Sequence, residues 1–141
     1  MRFMLQVRAS HDSEAGVMPS AELIAAMGVF NQSMIDAGIM LAGEGLQASA
    51  KGARITFSDG KASVVEPPYA APNELISGFW IIDVPSREAA IDWAQRVPFR
   101  DGAIDVRQIF EAADFPADLL PPEAAEREQA WRAAQNKAGR S

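Results

Sequence analysis

Phe3, Leu5 and Val7 alternate with Met4, Gln6 and Arg8, a period of two that predicts a strand over about residues 2–9. The loop "SHDSEAGVMP" follows, and Ser20 then stands where a helix N-cap belongs, with Glu22 in the first turn. Leu23, Met27, Phe30 and Met34 recur at spacings of three and four, with Ile24 and Ile35 widening the stripe. This predicts a helix with one face to bury, ended by Asp36-Ala37-Gly38, where glycine suits the left-handed position past the last turn. "IMLAGEGL" predicts a second strand. "ARITF" and "KASVV" flank Ser58-Asp59-Gly60 and predict a β-hairpin. A proline-rich loop leads into "ISGFWIIDV", another strand. Pro85-Ser86 opens a second helix whose inner face carries Ala90, Trp93, Ala94 and Val97, and Pro98 stops it. "GAIDVRQIF" is the last strand.

The order is β-α-β, an inserted hairpin, then β-α-β. Two such halves fold as a ferredoxin-like α+β sandwich, with both helices on one face of an antiparallel sheet. From Pro116 the pattern changes. Pro121-Pro122 introduces "EAAEREQAWRAAQNK", a charged, alanine-rich helix with Trp131 as its one large apolar group. The expected organisation is a domain over 1–115 and a helical arm over 116–141.

In the strand after Gly78, Phe79 and Ile81 fall on one face, and Trp80, Ile82 and Val84 on the other. Both faces need cover, yet the helices supply only one. Each large side chain left in water costs roughly 1.5–3 kcal/mol. A second copy packed sheet to sheet, as in a dimeric α/β barrel, is the expected cover, and the chain's own arm is the alternative. Polar residues facing the space between the two sheets gain interest. Arg8 shares a face with Met4 and Gln6. Arg107 faces the same way if Ile104 and Val106 meet the helices. Two guanidinium forks there suit a carboxylate, enolate or phosphate, with structural pairing to Glu44, Glu66 or Glu74 as the plainer reading of either arginine.

The composition narrows the chemistry. The chain has 141 residues, which suits one domain, and a net charge of −6, which argues against wrapping nucleic acid. Cysteine is absent, so disulfides and thiolate chemistry are excluded. One histidine and scattered carboxylates give no basis for a metal site, and no cofactor is expected. The start is too charged for a secretory segment and no apolar run approaches a membrane span, so a soluble cytoplasmic protein is the expectation.

The pieces "EAGVMPSAELIAAMGVFN", "AGIMLAGEGL", "KGARITFSDGK", "ELISGFWIIDV" and "IDVRQIFEAADF" together resemble the YCII-related family, in its DGPF-type branch, over about residues 1–115. The resemblance implies a dimeric ferredoxin-like fold and a pocket at the sheet face near the dimer interface. The namesake Asp-Gly-Pro-Phe is replaced here by Glu66-Pro67-Pro68-Tyr69. The family's lysine before the loop glutamate is replaced by Asn73, before Glu74. The His–Asp pair associated with some members does not carry over, since the first helix has no histidine. Asp36 stands alone near its end, and His11-Asp12 lies in a loop. The resemblance also implies an association with extracytoplasmic-function sigma factors.

The candidate ligand contacts are therefore Arg8, Glu66, Tyr69, Glu74, Trp80 and Arg107. Glu44, held between Gly43 and Gly45 at the pocket rim, is the candidate general base, or else a salt-bridge partner for Arg8. Trp80 and Tyr69 suit a planar ligand, with core or interface packing as the alternative for Trp80. Asn31, beside Phe30, either reaches under the sheet or faces water. The expected function is binding of a small anionic or aromatic molecule by a homodimer. The alternatives are a cofactor-free lyase or hydrolase using Glu/Arg chemistry, and a regulatory partner of a sigma factor.

Overall fold

The computed structural model describes residues 1–67 and 74–138. The elements run β1 (Arg2–Arg8), α1 (His11–Glu14), α2 (Ala21–Asp36), β2 (Met40–Gly45), β3 (Arg54–Ser58), β4 (Lys61–Val65), β5 (Ile76–Asp83), α3 (Arg87–Gln95), β6 (Ile104–Gln108) and α4 (Pro122–Ala138). β2, β5, β1 and β6 form one sheet in that order, every neighbouring pair antiparallel. β3 and β4 form a separate two-stranded ribbon. With the ribbon set aside, the strand order is that of a ferredoxin-like sandwich.

Local signals place the elements. The Ser20 hydroxyl accepts the Leu23 N–H and starts α2. At its other end Gly38 takes φ +72°, its N–H bonding to the Ile35 carbonyl while the Ile39 N–H reaches Met34. This double closure turns the chain sharply into β2. Ser86 caps α3 through the Ala89 N–H. Asp59 and Gly60 both hold positive φ in the two-residue turn of the ribbon, the geometry that matches the twist of its strands.

The core lies between the sheet and helices α2 and α3. Phe3 and Leu5 of β1 meet Trp80 and Ile82 of β5 and Val84 just past it there, under Phe30 and Met34 of α2 and Ala90 of α3. Ile104 and Val106 pack against the same cluster. Their neighbours Asp105 and Arg107 therefore stand on the other face, opposite Gln6 and Met4. That open face also carries Phe79, Ile81 and Glu44.

Two features differ from the sequence reading. Residues 11–14 form a short helical turn, closed by a reciprocal pair in which the Ser10 and Ser13 side chains each accept the other's backbone N–H. Ile24 and Ile35 do not widen the buried stripe. Both stay more than half exposed, because each lies one residue, about 100° of rotation, off the line of core positions. The arm α4 buries none of its residues, and its main contact is with the short turn at Ala112–Asp114. Among the described residues, no helix is long and apolar enough to cross a membrane.

Met34 is fully buried under the sheet, whereas Val29 on the same helix faces solvent. Met34→Ala is expected to lower stability by about 2–5 kcal/mol in urea titration. Val29→Ala should stay within about 0.5 kcal/mol.

Candidate functional site

A mainly apolar cleft opens on the helix side of the sheet, where β1 and β2 end and β5 begins. It has a volume of about 530 Å³, within the range of small-molecule sites. Leu23, Ile24 and Met27 of α2 form one wall, and Val7 and Phe99 close the far end. The floor is nearly bare backbone, because Gly43, Gly45 and Gly78 all lie there.

The glycines have different reasons. A Cβ on Gly43 would lie 2.6 Å from Met40 Cε and 2.9 Å from Trp80 Cδ1, so Gly43 makes room for the tryptophan. A Cβ on Gly78 would meet the Glu44 carbonyl at 2.9 Å, which keeps β2 and β5 in close register. A Cβ on Gly45 would meet nothing within 4 Å, and its missing side chain is open cleft. The same holds for Gly28, which stands in the middle of α2 and also lines the cleft. Glycine there costs the helix about 1 kcal/mol relative to alanine.

Trp80 forms the inner wall. It is almost wholly buried, edge-on to Phe30 with ring centroids 5.4 Å apart. Its indole N–H donates to Asn31 Oδ1 at 2.9 Å. An indole nitrogen can only donate, so Asn31 must present its oxygen to Trp80 and its NH2 group elsewhere. No protein acceptor takes that NH2 among the described residues, and Asn31 lines the cleft. The cleft is thus an apolar slot with two amide donors at one side. Among the described residues Glu44 is the one titratable residue bordering it, exposed at the rim with its side chain on the open-face side beside Phe79.

The residues singled out from the sequence divide around this end of the sheet. Arg8 Nε donates to Asp105 at 2.8 Å on the open face, so Asp105, not Glu44, is the carboxylate it grips there. Glu66 and Glu74 are exposed, one just past β4 and the other just before β5. Tyr69, with Pro68 and Asn73, falls outside the described residues. Arg107 lies farther along the open face, opposite Met4, with no ion pair among the described residues. Trp80 takes the helix face, away from the arginines. Asp36 accepts from Gln32 at the exposed end of α2, and His11 is exposed in α1.

Glu14 carried no signal in the sequence. Its carboxylate accepts the Ser49 N–H at 3.2 Å and also the Ser49 hydroxyl, tying the base of the β3–β4 ribbon to α1. A carboxylate that joins two irregular segments 35 residues apart leaves no periodic trace.

With this geometry in view, the comparison with known families is decisive. The YCII-related domain matches residues 1–113. The chain belongs to the YCII-related family. The match ends just before the 3-10 turn gives way to the arm, so α4 lies outside the family domain. No curated protein matches the chain closely enough to count as a relative.

Gly43→Ala forces Met40 and Trp80 apart and is expected to cost about 1–3 kcal/mol in urea titration, with a changed near-ultraviolet tryptophan spectrum. Gly45→Ala should leave both nearly unchanged.

Proposed function

We propose that this YCII-related protein binds a small planar aromatic molecule carrying an acceptor oxygen, such as a phenolate or an aromatic carboxylate, in the cleft between α2 and strands β2 and β5. The observation that carries this reading is the Asn31 NH2, which has no acceptor among the described residues and stands at the side of an apolar slot. An apolar ring fills the slot and gains from burial, while the oxygen accepts from Asn31. Arg8, Glu66, Tyr69, Glu74 and Arg107 are not required as direct contacts in this reading. Arg8, paired with Asp105 on the open face, and Glu74, just before β5, stand outside the cleft.

The protein acts as a homodimer in this proposal. The open face sets Met4, Phe79 and Ile81 side by side, each only half-buried, and a second copy packed on that face would complete their cover. The catalytic alternative rests on Glu44, the one titratable residue among the described ones that borders the cleft, whose side chain lies on the open face beside Phe79 and would act as base on that side of the sheet. A sigma factor as protein partner is suggested by the family resemblance alone.

A thermal-shift screen of phenols and aromatic carboxylates tests the reading. Binding is expected for at least one flat aromatic acid, weakened tenfold or more by Asn31→Leu and abolished by Gly45→Leu, which fills the slot where space is free. Gly28→Ala should raise the melting temperature while weakening the same ligand. Loss of binding in Arg107→Ala but not in Gly45→Leu would move the site to the open face. Glu44→Gln should retain binding, and any turnover should disappear with it.

A further inference from the structure

β6 is an edge strand, and its backbone is set out to take a further strand. The Ile109 N–H bonds to the Arg2 carbonyl and the Arg8 N–H to the Ala103 carbonyl. Antiparallel strands bond at every second residue pair, so Ala103, Asp105, Arg107 and Ile109 turn their backbone groups toward β1. Ile104, Val106 and Gln108 turn theirs outward. Among the described residues no backbone partner takes these groups. The β2 edge is built differently. It carries a bulge between Met40 and Ala42, which twists that edge out of line for pairing. β6 runs without a break.

A groove of about 470 Å³ follows β6 on the helix side. Ile91 and Ala94 of α3 form one flank, and Ile104 and Val106 the other. Ile91 is only half-buried and lies outside the core cluster, so it keeps apolar surface to cover.

Charge decides which strand fits the edge. Asp105 and Arg107 stand on the open face, two residues apart. Pairing β6 with its own copy about a two-fold axis at Val106 sets Val106 beside Val106 of the second copy and Ile104 beside Gln108. All the outward backbone groups then meet partners, in about six hydrogen bonds. The same axis sets each Asp105 opposite an Arg107. Moving the axis to Asp105 brings two aspartates together, and moving it to Arg107 brings two arginines together; like charges directly opposite destabilise a strand pair. Arg107 has no ion pair among the described residues. Asp105 receives Arg8 on Oδ2 at 2.8 Å, and its other oxygen can accept a second guanidinium.

The helices agree with this placement. α3 packs over β6 and β1. The axis lies half a strand spacing beyond β6, so α3 and its copy come about 10 Å apart, the ordinary separation of packed helices. The Ile91 flanks then close on each other.

We propose that β6 docks on β6 of a second copy in this register, joining two four-stranded sheets into one continuous sheet. The contact is separate from the ligand cleft. It also uses a different two-fold axis from cover of the open face, so the two contacts together make a tetramer.

The absence of native cysteine makes the test clean. Asp105→Cys and Arg107→Cys chains, tagged differently and oxidised as a mixture, should form a mixed disulfide, because this cross-strand pair brings the Cα atoms to about 4.5 Å. Neither variant alone should form one. Sheets stacked face to face stand about 10 Å apart, so an open-face dimer does not give this bond. Arg107→Glu and Asp105→Lys should each weaken association at least tenfold in sedimentation equilibrium. An equal mixture of these two should recover it, since one chain is then acidic at both positions and the other basic. Absence of the mixed disulfide overturns the edge contact and leaves any dimer to the open face. A disulfide in Asp105→Cys or Arg107→Cys chains alone overturns the register.

Discussion

The hydrogen bond from the Trp80 indole to Asn31 sets the arrangement around the cleft. A buried indole N–H without a partner is costly, by about 1–3 kcal/mol, and Asn31 on the middle of α2 supplies the acceptor. The bond fixes where α2 sits over β5 and holds the Trp80 ring edge-on to Phe30. It also requires Gly43 on the neighbouring strand, since any side chain there would collide with the ring. The same bond decides which way the Asn31 amide is turned, and so which groups a ligand would meet.

A second constraint is the one-sided cover of the sheet. Two helices pack on one face only, and the strand order leaves β2 and β6 as free edges. The described chain spends its apolar residues on both faces of β5, on the ribbon and past β6, which is more than its own helices can hide. This surplus is coherent if read as surface for a second copy. Among the described residues, α4 is charged and has none of its own residues buried.

Much of this architecture was legible in the sequence. Alternation in β1 and β5, the Ser20 and Ser86 caps, Gly38 and Asp59-Gly60 each carry a local physical signal, and the elements formed where those signals lie. The faces of β1, β5 and β6 followed from the period of two. The site was less legible. Gly43 and Gly45 look alike in the sequence, yet Gly43 makes room for Trp80 across the strand pair and Gly45 leaves open cleft. Asn31 was visible as a polar residue beside Phe30, but its partner is 49 positions away. The attention given to Arg8 and Arg107 drew on charge, which is conspicuous in a sequence. The cleft is defined by missing side chains and one amide, which are not.

The most direct test is a two-dimensional NMR titration of the labelled protein with an aromatic carboxylate that shifts its melting temperature. The account predicts that the Asn31 side-chain NH2, the Trp80 indole N–H and the backbone amides of Gly43, Gly45 and Gly78 move together, with Arg107 and Gln6 little changed. Perturbations confined to Gln6, Asp105 and Arg107, with the Asn31 and Trp80 signals unmoved, would contradict it.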